Sequence, residues 1–176
     1  LRKNDDRHFP VSGTPTDCVI MGVKHVMPEA PDLILSGVNS GSNTADDVTY
    51  SGTIAAAIEG TLLGIKSIAL SQEYNLNGGT RVLPWEIVEE RAPDVLKKVL
   101  GVELAKGVLI NINFPSCQAS DIAGTRVTVQ GKLSHGLAIE ERHDGRGLAY
   151  YWLRYGRGKD APAENSDVAA IRKNFI

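Results

Sequence analysis

The fold is decided by one stretch of the chain, PDLILSGVNSGSNTADDVTYSGTIAAAIEGTLLG, which runs from Pro31 to Gly64. Its short apolar run, Asp32–Ser36, lies between a proline and a glycine and predicts a buried strand. The polar segment Gly37–Tyr50 predicts a loop, and loops of this length and polarity usually carry function. A helix is predicted to begin at Ser51. The loop would therefore lie beyond the carboxyl end of a strand, where ligands bind in open α/β sheets.

Strands and helices alternate on both sides of this stretch. A helix start is predicted where Thr14 can act as N-cap and Pro15 as first helical residue. Strands are predicted at Arg7–Ser12, Lys66–Ser71 and Val108–Asn113, and helices at Thr14–Val26 and Leu83–Leu100, the second kinked or broken at Pro93. The alternation predicts an α/β fold, a Rossmann-like and mostly parallel sheet flanked by helices.

The character of the chain changes after Ser116. Thr125–Gln130 and Ala149–Arg154 are strand-like, and the charged segment Glu140–Gly147 separates them. Three consecutive aromatic residues, Tyr150 to Trp152, are typical of an interface. We therefore divide the chain into an α/β core, residues 1–116, and a β-hairpin-type antiparallel extension with a return segment, residues 117–176.

Composition excludes several classes of protein. The formal net charge is −2, so no global field draws the chain to nucleic acid or to an acidic membrane surface. No apolar run approaches the length of a membrane span. Two cysteines, Cys18 and Cys117, are too few for a disulfide framework and predict reduced thiols in a cytoplasmic protein. Cys18 is predicted to be buried on its helix.

The predicted helix start after the polar loop is a candidate phosphate site. Asn43, Ser51, Gly52 and Thr53 combine side-chain donors with free backbone N–H groups, and the missing side chain of Gly52 lets an oxyanion approach. The alternative is an ordinary N-cap, because a Ser-Gly-Thr helix start alone is a weak signal.

Asn39 is a candidate metal ligand because it follows the predicted strand. An amide oxygen suits a hard cation such as Mg²⁺ or Mn²⁺ when carboxylates supply the charge. The residues alone favour the alternative, an asparagine that caps the loop through side-chain to backbone hydrogen bonds. Asp46 and Asp47 are predicted to be structural. The four histidines lack metal-pair spacing, although His135 and His143 lie where a flexible loop could reach a substrate.

The motifs SGVNSGSN and DDVTYSGT, with the upstream GTPTDCV, resemble the survival protein SurE family of metal-dependent 5′-nucleotidases and acid phosphatases. The resemblance covers most of the chain, from Phe9 through NINFP (Asn111–Pro115) to LAYYWL and SDVAAI. It implies a phosphomonoesterase that hydrolyses nucleoside 5′-monophosphates to nucleoside and phosphate, with Mg²⁺ or Mn²⁺ as cofactor. It also implies that Asn39 is a metal ligand, and that the extension exchanges between subunits of a homodimer or homotetramer.

The resemblance further implies that segments are missing from this chain. The family's metal carboxylates lie on an N-terminal Asn-Asp-Asp-Gly turn, so we expect a βαβ portion of roughly fifty residues, and a C-terminal end, to be absent. The expected catalytic aspartate pair would lie in that portion, and no catalytic residue is assigned here. Asn4-Asp5-Asp6 imitates the turn, but Arg7 replaces the glycine and no apolar strand precedes it, so an exposed polar turn is predicted.

Two other functions are compatible with the sequence. The polar loop alone would suffice for a nucleotide- or phosphate-binding module without hydrolysis. The aromatic extension alone would suffice for an oligomeric scaffold.

Overall fold

The computed structural model describes residues 1–133, 135–157 and 161–176. Its helices are α1 (Pro15–Met21), α2 (Gly52–Leu62), α3 (Trp85–Leu100) and α4 (Asp167–Ile171). Its strands are β1 (Leu33–Ser40), β2 (Lys66–Gln72), β3 (Asn75–Asn77), β4 (Thr80–Val82), β5 (Ile110–Phe114), β6 (His135–His143) and β7 (Ala149–Arg157). In the described part of the chain, no helix is both long enough and apolar enough to cross a membrane.

A parallel sheet in the order β1-β2-β5 forms the centre of the fold. Successive residues of β2 point to opposite faces, and each face is covered by a different helix. Ile68 and Leu70 pack in one cluster with Ile87 and other residues of α3. Ala69, between them, packs with residues of α2. Helices on both faces of a parallel sheet confirm the predicted α/β class.

Strand β1 is longer than predicted, since it continues through Ser40 into the segment that was expected to be loop. The pairing with β2 shifts between Ser36 and Asn39. Gly37 makes this shift possible: its φ is +130°, and a side chain there would collide with the carbonyl oxygen of Leu70. The shift brings Asn39 opposite Ser71 of β2.

Helix α1 begins at the predicted N-cap, Thr14, which forms a capping box with Asp17. The Asp17 N–H donates to Thr14 Oγ1 over 3.2 Å, and the Thr14 N–H donates to Asp17 Oδ2 over 2.7 Å. The hydrogen bond from the Thr14 N–H, and then that from its hydroxyl, lower the pKa of Asp17. A π-helical turn, Gly22–Val26, follows, so the predicted helical range is confirmed. Cys18 is exposed rather than buried, because α1 packs against α2 on one side and no α1 residue is buried.

Two predicted strands are absent from the structure. Arg7–Ser12 forms no strand, and its start belongs to a turn in which Asp5 accepts hydrogen bonds from the N–H groups of Arg7 and His8. Thr125–Gln130 makes one isolated bridge, from Val129 to Ser166, instead of a ladder. Of the two outcomes predicted for Pro93, the break does not occur, because α3 continues through it as one helix whose Val88 and Val95 are buried in the core.

The extension is a single antiparallel hairpin of β6 and β7. Its first strand contains Glu140, whereas the sequence predicts Glu140 to lie in the segment between strands. The Glu140 carboxylate pairs with Arg142 at 2.6 Å and with Arg154 of the opposite strand at 3.0 Å. Hydrogen bonds from these two guanidinium groups lower the pKa of Glu140. Cross-strand charge pairing therefore lets a charged sequence form a strand.

Candidate functional site

Three polar residues lie side by side where the central strands end. Asn39 of β1 pairs with Ser71 of β2, and Ser71 pairs with Asn113 of β5. Because the strands are parallel, all three side chains belong to the carboxyl edge of the sheet. This edge is the usual place for a ligand in an open α/β sheet.

Asn43, in the loop that follows β1, hydrogen-bonds to residues at this edge of the sheet. Its amide Nδ2 donates to Ser71 Oγ over 2.7 Å, and its backbone N–H donates to Asn113 Oδ1 over 2.7 Å. Its carbonyl oxygen accepts from Asn111 Nδ2 over 2.8 Å. Asn43 is buried, with 6% of its surface exposed. It therefore has a clear structural role, and its predicted contact with phosphate stays a prediction.

A polar cavity of about 730 Å³ opens in front of these residues. Asn39, Asn43 and Ser51 all line it, so the structure brings together three of the five residues that we had singled out. Gly52 and Thr53 lie next to this lining in the chain without being part of it. The volume is in the range of pockets that bind small organic ligands, about 300–1,000 Å³.

Asn39 uses its amide nitrogen for the loop and leaves its amide oxygen available. Nδ2 donates to the carbonyl oxygen of Gly41 over 2.8 Å. In the described part of the chain the amide oxygen accepts no hydrogen bond. An unengaged amide oxygen on a cavity wall fits a neutral ligand of a hard cation.

The described residues do not complete a divalent cation site by themselves. Within them, no group of three histidine, cysteine, aspartate or glutamate side chains is arranged to hold a metal ion. Two carboxylate residues, Asp47 and Glu73, line the cavity, and Glu73 Oε2 already accepts the N–H of Ser116 over 3.0 Å. Asn39 thus fits as one ligand of a cation whose charge other residues must balance.

The start of α2 offers unengaged backbone donors beside the cavity. Ser51 is the N-cap, and its Oγ accepts the N–H of Ile54 over 3.2 Å. Within the described residues, the N–H groups of Gly52 and Thr53 make no hydrogen bond, as expected for a helix start. The absent side chain of Gly52 also lets α2 lie close to α1, because a Cβ there would lie 3.0 Å from Pro15 Cγ. The predicted approach of an oxyanion to Gly52 stays a prediction.

Sequence reasoning missed the part of the cavity wall that Tyr74 and Arg81 form. The short β3–β4 hairpin supplies Arg81, whose guanidinium lies 4.5 Å from the centre of the Tyr74 ring. Both residues line the cavity and give it a cation and an aromatic surface. The sequence Asn77-Gly78-Gly79 is typical of a hairpin turn and could have predicted the β3–β4 hairpin that carries Arg81.

The remaining candidates lie away from the cavity. The Asp5 carboxylate bonds His8 Nδ1 at 2.7 Å in the exposed N-terminal turn, and the N–H of Arg7 is the main cause of its lowered pKa. Asp46 Oδ2 accepts the N–H of Leu133 over 2.8 Å, which is a structural contact as predicted. His143 pairs with Glu141 at 3.5 Å, and the His135 side chain lies outside the described residues.

An α/β fold with a polar cavity at the carboxyl edge of a parallel sheet defines a class of Rossmann-like ligand-binding proteins. The family model "Survival protein SurE" matches residues 1–136 of the chain. The chain belongs to the survival protein SurE family.

Individual relatives agree with this assignment. The 5′-nucleotidase SurE of Brucella anthropi is 63% identical over the whole chain, which spans 68% of that relative. The protein of the same name from Brucella canis is 58% identical, and the chain spans 69% of it. The crystal structure of the SurE protein from Aquifex aeolicus superimposes with a TM-score of 0.78 at 36% identity. That alignment covers 93% of this chain and 64% of the Aquifex chain.

Proposed function

We propose that the protein is a metal-dependent phosphomonoesterase that hydrolyses nucleoside 5′-monophosphates to nucleoside and phosphate. The 5′-nucleotidase activity in the names of its relatives supports this function. The single observation that carries it is the cavity in which an unengaged amide oxygen of Asn39 and the start of α2 at Ser51 face the same space.

The residues of this chain would bind and orient the substrate. The free N–H groups of Gly52 and Thr53 and the positive end of the α2 dipole favour a phosphate group. Arg81 and Tyr74, which also line the cavity, would present a cation and a ring to the rest of the nucleotide. Asn39 would contact the cation, and a bound Mg²⁺ or Mn²⁺ would supply polarisation of the phosphoryl oxygens and activation of water.

We also propose that the protein acts as a homodimer or homotetramer in the cytoplasm. The β6–β7 hairpin exposes large apolar side chains on both of its faces: Tyr151 is 60% exposed, Trp152 57% and Leu153 56%. Exposed aromatic and aliphatic surface of this extent is typical of an interface. Neither described cysteine is in a disulfide, which supports a reducing compartment.

Asn39→Ala in the full-length protein tests the metal assignment. We expect most of the phosphate release from nucleoside monophosphates to be lost at limiting Mn²⁺. The variant should remain folded, with a free energy of unfolding lowered by about 1 kcal/mol for the lost hydrogen bond to Gly41. Asn165→Ala, which removes the same side chain from an exposed position outside the cavity, is the matched control. Full activity of Asn39→Ala at limiting Mn²⁺ would contradict the assignment.

The Asp5→Ala, Asp6→Ala double variant tests the N-terminal turn. Because this turn is exposed and forms only local contacts, turnover and metal dependence should stay near normal. A large loss of metal-dependent turnover in a folded double variant would mean that these aspartates belong to the metal site. Tight binding of phosphate without any turnover by the parent protein would instead favour a binding module.

A further inference from the structure

Ala45 has an unusual backbone conformation next to the candidate site. Its φ is +51°, in the left-handed region that alanine rarely adopts, and none of its surface is exposed. It is also the first residue of a 3₁₀-helical segment, Ala45–Tyr50. A strained residue at this position must be held by its surroundings.

Two side chains from the C-terminal part of the chain bond both backbone groups of Ala45. Its N–H donates to Asp167 Oδ2 over 2.8 Å, and its carbonyl oxygen accepts from Gln130 Nε2 over 2.9 Å. The second oxygen of Asp167 accepts the N–H groups of Gly131 at 2.8 Å and Val168 at 2.7 Å. The Asp167 carboxylate therefore joins three segments that are distant in sequence.

The segment that begins at Ala45 leads directly to the cavity. Asp47 and Tyr50 lie in it, and Ser51, the N-cap of α2, follows it; all three line the cavity. The conformation of Ala45 thus sets where this wall of the cavity lies. Asp167 itself lies outside the cavity and outside the residues that the family model matches.

We propose that Asp167 is a positioning residue, which together with Gln130 keeps Ala45 in its left-handed conformation and so orders the wall from Asp47 to Ser51 for phosphate binding. The inference rests on the proposed function, because it assumes that the cavity receives a phosphate group.

Asp167→Asn in the full-length protein is the first test. The amide keeps the size of the side chain but provides one acceptor oxygen in place of two. We expect amide hydrogen exchange in residues 45–51 to accelerate, and the inhibition constant for inorganic phosphate and the KM to rise on the order of tenfold. Gln130→Ala should also accelerate amide hydrogen exchange in residues 45–51 and raise the inhibition constant for phosphate and the KM.

Ser166→Ala is the control that distinguishes a positioning role of Asp167 from a general loss of stability. Ser166 caps α4, where its Oγ accepts the N–H of Ala169 over 3.2 Å, and it makes no hydrogen bond to Ala45–Ser51 in the described structure. This variant should lose stability without changing exchange in residues 45–51 or the inhibition constant for phosphate. Equal effects of Ser166→Ala and Asp167→Asn on both quantities would overturn the proposal.

Ala45→Gly supplies a rescue experiment, because glycine adopts positive φ without steric cost. If Asp167 acts by holding Ala45, the Ala45→Gly, Asp167→Asn double variant should recover at least about a third of the lost phosphate affinity. No recovery in a folded double variant would overturn the proposed route. Absence of nucleotidase activity in the parent protein would refute the proposed function instead, and hydrogen exchange would still report whether Asp167 orders the segment.

Discussion

The amide of Asn39 shows how one side chain can satisfy two interpretations of a sequence. Its nitrogen makes the loop contact expected of a structural asparagine, with the Gly41 carbonyl 2.8 Å away. The same contact fixes the direction of the amide and leaves its oxygen for a ligand. A structural cap and a metal ligand are therefore compatible roles for Asn39, because the two roles use different atoms.

Arg81 is the residue for which we expect the clearest effect on substrate binding. Arg81→Ala should raise the KM for nucleoside monophosphates about 10- to 150-fold with a smaller change in kcat, because a charged hydrogen bond made in the ground state contributes mainly to binding. The matched control is Arg126→Ala, whose guanidinium lies 4.0 Å from the Phe175 ring, outside this cavity. An unchanged KM for Arg81→Ala would remove the hairpin from the site.

The two cysteines should differ in reactivity. Burial, and then the charges of Asp121 and Glu73, raise the pKa of the Cys117 thiol, so its thiolate fraction at neutral pH is low. Cys18 is exposed. Iodoacetamide near neutral pH should label Cys18 first, and labelling of Cys117 should increase only as the pH rises toward its elevated pKa. Mass spectrometry measures both, and equal rates at neutral pH would contradict this expectation.

At the scale of single elements, α2 and α4 begin with the same N-cap. Ser51 Oγ and Ser166 Oγ each accept a backbone N–H three residues later, both over 3.2 Å. Only Ser51 lies at the cavity. Removing each cap should cost a similar free energy of unfolding, but only removal of the Ser51 cap should affect anion binding at the cavity. A comparison of the two variants therefore separates the stability effect from the binding effect.

Ser51→Ala should lower the free energy of unfolding by about 1 kcal/mol and weaken inhibition by inorganic phosphate several-fold. Ser166→Ala should cost a similar free energy of unfolding and leave phosphate inhibition unchanged. Chemical denaturation and inhibition kinetics on the same preparations measure both effects. Equal inhibition of Ser51→Ala and the parent protein would mean that phosphate does not bind at the α2 start.

At the scale of the whole molecule, the hairpin of β6 and β7 extends the chain away from its core. In the described residues β6 and β7 pair only with each other, and the aromatic side chains of the hairpin remain largely exposed. A partner that covers these side chains would bury apolar surface, which is the main driving force for stable association. The proposed partner is a second copy of this chain.

Trp152→Glu should therefore weaken self-association by at least about 2 kcal/mol, a typical value for an aromatic interface anchor. Val127→Glu is the control, because Val127 is 98% exposed but lies outside the hairpin. Light scattering coupled to size-exclusion chromatography gives the mass of each variant. Retention of the parent mass by Trp152→Glu at low protein concentration would exclude the hairpin as the interface.

Local sequence alone determined the features that depend on neighbouring residues. The capping box of Thr14 and Asp17, the N-cap at Ser51 and the buried strand β2 were predictable, because their hydrogen bonds or apolar pattern lie within a few residues. The position of Asn39 at the carboxyl edge followed from the same reasoning. Motif resemblance then identified the family.

Only the tertiary structure decided which distant residues meet. Strand β1 continues past Gly37 because β2 offers a partner there, and Arg81 lines the cavity as part of the β3–β4 hairpin. Asp167 bonds to Ala45 across 122 positions of the chain. Such contacts depend on packing between elements, which no local pattern encodes, and they complete the wall of the candidate site.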